Sequence, residues 1–214
     1  MVLEIHGIPA STCTRRVAVV AKELGVPYKL VPVDFSVKEH KSEKYLSEKH
    51  PFGRVPVVYD DGHRILESRA IGRYLAAKHP EKDLAPPPSD LEAYARFEEA
   101  ASLEYSDFDA PASSIVYEKL FKKMFGAGEP DEALVAKYTA TLKTKLAGYE
   151  RVLEGRKFLA GDKLTLADLY HLPYGYALEK VGVDWPALSG GPNVERWWKT
   201  ITALPSWQAV KDGA

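Results

Sequence analysis

The chain has 214 residues, 45% of them apolar and 28% charged, enough to bury one sizeable core or two modest ones. With 29 basic against 30 acidic residues the net charge is -1, which excludes the basic surface that nucleic acid demands and requires any anionic ligand to be bound locally. A single cysteine, Cys13, excludes an intrachain disulfide framework and a cysteine-rich zinc site and fits a reducing compartment.

The opening MVLEIHG lacks the basic, apolar and small-residue progression of a secretory signal, and no run reaches the roughly 18 apolar residues of a membrane span. The expectation is a soluble cytoplasmic protein. Val2 to His6 alternates apolar and polar residues as a short strand. Pro9-Ala10-Ser11 interrupts it before a helical stretch with Val17, Val20 and Leu24 on one face, stopped by Gly25. Tyr28 to Val33 reads as a second strand, and two strands separated by a helix are most economically arranged as a parallel βαβ unit. After a helix-or-loop piece, Val57 to Tyr59 and His63 to Leu66 flank Asp61-Gly62, a two-residue hairpin signal. Ile71, Tyr74, Leu75 and Lys78 mark a third helix that ends before Pro80.

Everything further along reads as helix. Four prolines between His79 and Ser89 predict a linker over 81–88, separating a first domain of residues 1–80 from an all-helical domain of residues 89–214. Ser89 with Glu92 reads as a capping box opening a long helix to about Met124, bent near Pro111. Leu134, Tyr138, Leu142, Leu146, Tyr149 and Leu153 predict a second long helix ended by Gly155. Thr165 with Asp168 repeats the capping signal, with Leu164 and Leu169 as a hydrophobic staple. That helix is expected to be buried and bent near Pro173. Two shorter helices then carry Trp197, Trp198 and Trp207 as packing residues.

Four constellations in the first domain could carry chemistry. Ser11-Thr12-Cys13-Thr14 lies where the first strand hands over to the first helix, so a hydroxyl there can donate to an anion in front of the helix N-terminus and favour a thiolate over a thiol. The same residues also serve as a plain N-cap. Arg54-Val55-Pro56 precedes the hairpin. A cis proline there would present the Val55 N–H and C=O to a peptide-like ligand, whereas a trans proline would merely enter the strand. Glu67-Ser68, at the start of the third helix, suits an ammonium and a carboxylate, or simple capping. His40-Lys41 can reach a second carboxylate, or belong to a solvated charged face.

The segments PASTCTRRV, EHKSEKYL, HPFGRVPVV, DDGHRILESRAIGRYLA and FLAGDKLTLADLYHLP, spread over essentially the whole chain, resemble the phi-class glutathione transferases. The resemblance implies a thioredoxin-like first domain (βαβ-α-ββα) followed by an all-helical second domain. It implies that Ser11 donates to the glutathione sulfur beside Thr12, that His40 and Lys41 hold the glycine carboxylate, that Val55 before cis Pro56 pairs with the cysteinyl unit, and that Glu67 and Ser68 hold the γ-glutamyl end. The hydrophobic acceptor site falls on Phe35, Tyr117 and Phe121. Glutathione is then a co-substrate attacking small hydrophobic electrophiles or peroxides, with no metal or redox cofactor, and the chain is a homodimer with Phe52 inserting into its neighbour.

Two residues depart from the usual NPFGQVP pattern. His50 and Arg54 replace an amide pair, and Arg54 adds a positive charge beside a ligand with two carboxylates, so glutathione binding is expected to be undiminished. Cys13 raises thiol-disulfide exchange as another chemistry, but the catalytic position falls on Ser11, two residues earlier. The rival from another class is a ligandin that carries hydrophobic compounds with little catalysis, and an assembly module of the same fold has no need of the Ser11, His40, Val55-Pro56 and Glu67-Ser68 set.

Overall fold

The computed structural model describes residues 2–214. They form two compact units, the first running to Ala85 and including Leu204–Ala214, the second spanning Pro86–Ala203.

In the first unit β1 (Leu3–Gly7) leads into α1 (Thr12–Leu24), which stops at Gly25 in the left-handed region, φ 73°, where a side chain would add strain. Next come β2 (Tyr28–Pro32), a short α2 (Glu43–Glu48), the hairpin of β3 (Val57–Asp60) and β4 (His63–Ile65), and α3 (Ser68–Lys78). The sheet order is β2-β1-β3-β4, with β1 parallel to β2 and both later pairings antiparallel. The expected βαβ unit and hairpin are both present. One core joins Leu3, Ile5 and Val58 of the sheet with Val17, Val20, Ile71 and Leu75 of α1 and α3, all buried; each deletion to alanine there would cost a few kcal/mol, about 2–5. A smaller cluster of Val33, Tyr45 and Val57 receives Phe35, Val55, Tyr59 and Leu66.

The last residues, which the sequence pattern grouped with the helical region, pack instead on α1. Trp207 of a short helix (α10, Pro205–Gln208) is buried, Arg15 Nη1 donates to Lys211 O at 2.6 Å, and Ala214 N–H donates to Pro9 O at 3.2 Å. Arg15 donates as well to Ala10 O. It thus ties the tail to the turn that carries Ser11, a long-range link that no local period reveals.

The second unit opens with α4 (Leu91–Leu103), capped by Asp90, whose carboxylate accepts the Ala93 N–H. The cap is therefore Asp90, not Ser89. Helix continues to Met124 through α5 (Ala110–Val116) and α6 (Lys122–Met124), interrupted by π-helical turns at Glu104–Asp109 and Tyr117–Phe121. Pro111 has no N–H to give back to the preceding turn, and the wider π pattern sits just before it. The long α7 (Glu132–Val152) and α8 (Leu166–Lys180) follow, the latter with the reciprocal Thr165–Asp168 capping box, then α9 (Pro192–Thr202). Trp185 packs edge-to-face on both Trp197 and Trp198, and Trp185 and Trp198 close around Gly175, where a Cβ would lie 2.4 Å from Trp198.

Candidate functional site

Ser11 is the N-cap of α1, with extended backbone (φ −65°, ψ 128°), and its Oγ accepts the Thr14 N–H at 3.2 Å. A hydroxyl whose oxygen is engaged this way keeps its proton for another acceptor, at the positive end of a 13-residue helix. Thr12, the first helical residue, is buried, so its side chain is part of the turn's packing. Cys13 is half-buried and faces Arg16 Nη1 at 3.5 Å.

Arg16 is 1% exposed and also donates to Ser68 Oγ at 3.1 Å. One guanidinium thereby connects the start of α1 to the start of α3, bringing two of the four constellations together. Sequence reading overlooked it. The signal was a charged residue three after Cys13 on the stripe that continues through Val17, Val20 and Leu24, where a buried cation has to be there for its partners.

Glu67 precedes Ser68 with φ 64°, an uncommon conformation for a residue with a Cβ. Its side chain is 62% exposed and stands 3.9 Å from both His50 Nε2 and Arg54 Nη1. Arg54 also lies over the Phe52 ring. The next segment along is held from below: the buried Tyr45 phenol, pushed up to about 12 chiefly by burial, donates to Arg54 O at 3.0 Å. The Val55–Pro56 bond is cis. Pairing of β3 with β1 begins at Val57, so Val55 lies outside the sheet ladder.

His40 and Lys41 occupy a single 3₁₀ turn, Glu39–Lys41. His40 stacks on Phe35, ring centroids 3.8 Å apart, and burial, followed by the Lys41 charge, holds its pKa below the usual histidine value. Lys41 Nζ donates to Phe52 O and Gly53 O. The turn approaches so closely that a Cβ on Gly53 would sit 2.4 Å from His40 O, and Gly53 has φ 58°, which explains the glycine. A chain of contacts therefore runs from Ser11 and Cys13 through Arg16, Ser68, Glu67, His50, Arg54 and Gly53 to Lys41 and His40, all within the first unit. Phe35 belongs to this unit's packing, stacked on His40 and set against the Val33, Tyr45 and Val57 cluster.

Tyr117 and Phe121 lie in the second π-helical turn and line an open cleft of about 350 Å³ with Ser113, Leu134, Tyr138 and Tyr174. Glu118, 6% exposed, also lines it and accepts from Lys122 and from the Asp131 N–H. Hydrogen bonding to Lys122 holds that carboxyl below its ordinary value.

Residues 1–77 match the family model described as glutathione S-transferase, N-terminal domain, and residues 108–205 the one for the C-terminal domain. The chain is 50% identical to glutathione S-transferase PM239X14 of Arabidopsis thaliana over 92% of its own length and 89% of the relative's. Glutathione transferase F7 from Populus trichocarpa superposes with a TM-score of 0.90 at 34% identity, covering 98% of this chain and 97% of that one. Glutathione S-transferase I from mais, solved in complex with an atrazine glutathione conjugate, superposes with a TM-score of 0.89 at 32% identity over 99% and 97%.

Proposed function

The chain belongs to the glutathione S-transferase family, and from that premise we propose that Ser11 is the group that activates the glutathione thiol. The enzyme is a transferase of the glutathione type, of the phi class, that joins the glutathione sulfur to electrophiles. The observation that carries the assignment is the Ser11 hydroxyl at the head of α1, oxygen engaged by Thr14 N–H and proton free for a sulfur.

A thiol with pKa near 8.5 is about 3% ionised at pH 7. Lowering it by about two units, worth roughly 2.7 kcal/mol, makes most of it thiolate. Ser11 Oγ–H and the helix N-terminus supply that stabilisation before the electrophile arrives, so the sulfur needs no separate base at the moment of attack. Ser68 and Glu67 receive the γ-glutamyl carboxylate and ammonium. The cysteinyl unit lies against Val55, turned outward by cis Pro56. His40 and Lys41 take the glycine carboxylate, with Arg54 adding positive charge nearby. Thr12 backs the turn. Phe35, Tyr117 and Phe121 are proposed for the acceptor, the latter two from the cleft they line in the second unit. Glutathione is the co-substrate, and no step is routed through a metal or redox cofactor.

Among the described residues no helix is long and apolar enough to cross a membrane, and with a single cysteine we place the enzyme in the cytoplasm. A homodimer is proposed on Phe52, an apolar side chain left 68% exposed, and light scattering of the purified chain tests it. The reading as a whole is tested by steady-state conjugation of an activated aryl chloride, wild type against Ser11→Ala. A large loss of kcat with little change in the KM for glutathione supports it. Full activity in the variant contradicts it, and negligible turnover by the wild type alongside tight binding of a hydrophobic dye favours a carrier.

A further inference from the structure

His50 is 2% exposed and closes the turn behind the glutathione loop three times over. Its N–H donates to Tyr45 O at 2.9 Å, its carbonyl accepts the Gly53 N–H at 2.8 Å, and its ring Nδ1 accepts the Phe52 N–H at 3.2 Å. Because Nδ1 is an acceptor there, the ring hydrogen of the neutral form resides on Nε2. Nε2 is the atom that faces Glu67 Oε1 at 3.9 Å. The two ring nitrogens thus look in opposite directions, one toward the loop that carries Val55, the other toward the carboxylate assigned to the ammonium.

We propose that His50 is a positioning residue for glutathione: as the neutral Nε2–H tautomer it fixes the Phe52 turn ahead of Val55 and faces Glu67, and a second proton on Nδ1 releases that turn. The proposal rests on the assignment of glutathione to Val55 and Glu67 made above. A proton arriving at Nδ1 would point at the Phe52 N–H, donor against donor, so the imidazolium is incompatible with the observed turn. The charged groups facing the ring are Glu67 from the head of α3, Arg54 and Lys41 from the loop and the 3₁₀ turn, and Arg64 from β4. Burial is the main influence and lowers the pKa; Glu67 opposes it, and the three cations reinforce it.

The sign follows. A histidine whose folded pKa lies below the unfolded value supports the fold while neutral, and that support is lost as pH falls through the folded pKa. Binding an ammonium at Glu67 cancels the one charge that favours the imidazolium, so glutathione and the proton compete. Neither the carboxylates nor the amine of glutathione titrates between about pH 5 and 7; its bound thiol does on the assignment above, and the S-methyl derivative, which has no thiol proton, removes that contribution. His40, whose pKa burial also lowers, is a second histidine at the glutathione site, and its contribution has to be separated.

The test is affinity for glutathione at pH 7.5 and for S-methylglutathione from pH 5 to 7.5, by titration calorimetry on the full chain, with His50→Asn and His50→Leu. Wild-type binding at pH 7.5 examines the underlying assignment by itself: if glutathione does not bind there, that assignment fails and takes this proposal with it. Given binding, the wild-type Kd is expected to rise by up to about tenfold per pH unit below the His50 pKa. His50→Leu binds at least about tenfold more weakly at pH 7.5, and the gap narrows at acid pH, where the wild-type turn is itself released. His50→Asn, whose amide oxygen can accept the Phe52 N–H and does not titrate, restores binding at pH 7.5 and flattens the acid limb to whatever His40 contributes. An unchanged acid limb in His50→Asn overturns the proposal. Imidazole ¹⁵N shifts of the wild-type chain give a readout free of variants, with a bare Nδ1 and a protonated Nε2 expected at pH 7.5. A proton on Nδ1 there would be equally fatal.

Discussion

Two carboxylates at the starts of helices behave in opposite ways. Asp168 in the second unit is fully buried and accepts from Leu159 N–H, Thr165 N–H, Thr165 Oγ1–H and Trp197 Nε1–H. Burial pushes its pKa up and those donors pull it back. Glu67 in the first unit is 62% exposed, has a positive φ of 64°, and faces the His50 ring and the Arg54 guanidinium, each at 3.9 Å. The same contrast holds around them. Tyr149 and His171 satisfy each other, the Tyr149 OH to Nε2 distance being 3.0 Å, with Nδ1 donating to Ala167 O, whereas Ser11 retains an outward hydroxyl proton. Polar groups that close on one another hold a core, and polar groups left facing outward at a strained turn bind something.

If that contrast is sound, substitutions should separate stability from binding. Asp168→Ala strands three buried N–H donors at about 1–3 kcal/mol each, so a loss of roughly 3 kcal/mol or more in urea unfolding is expected; a loss under about 1 kcal/mol would deny the carboxylate its structural role. Ser11→Ala should lower kcat about 10²-fold, the scale of one preorganised donor, while costing about 1 kcal/mol as a lost cap. An inverse split, with stability badly hurt and turnover spared, would make Ser11 a cap and nothing more. Glu67→Gly relieves the positive φ and is expected to leave the fold intact or up to ~1 kcal/mol more stable, yet weaken glutathione binding about tenfold; unchanged affinity would break the comparison at its centre. Smallest of all, Arg54→Gln should change glutathione affinity by less than about threefold, since exposed charge pairs contribute little. A variant that binds several-fold more tightly would show that the positive charge hinders.

Much of this was legible before any coordinates. The Asp61-Gly62 turn, the Gly25 stop and the Thr165–Asp168 box are local chemistry, and local chemistry survives in one sequence. The strand and helix order of the first unit followed from periodicity, and the cis Pro56 alternative from its place after a loop. What stayed hidden depended on residues far apart. Arg16 meets Ser68 across 52 positions, and Arg15 meets Lys211 across 196, so neither partner could be named from spacing. Asp90 displaced Ser89 as the cap because two adjacent capping residues compete and geometry chooses. The π-helical turns around Tyr117 and Phe121 have no pattern of their own in sequence, although the family resemblance had put both residues in the acceptor site. His50 was visible as a departure from a familiar pattern; its work became visible only when Nδ1 and Nε2 acquired different neighbours.

The central claim is that Ser11 lowers the pKa of bound glutathione, and the most direct test is the ultraviolet absorbance of the thiolate on the enzyme as pH rises, wild type against Ser11→Ala. The account predicts that the bound thiol of the wild type ionises about two units below free glutathione and that the variant shifts back toward the free value. Identical titrations in the two proteins, with both still binding glutathione, would contradict it.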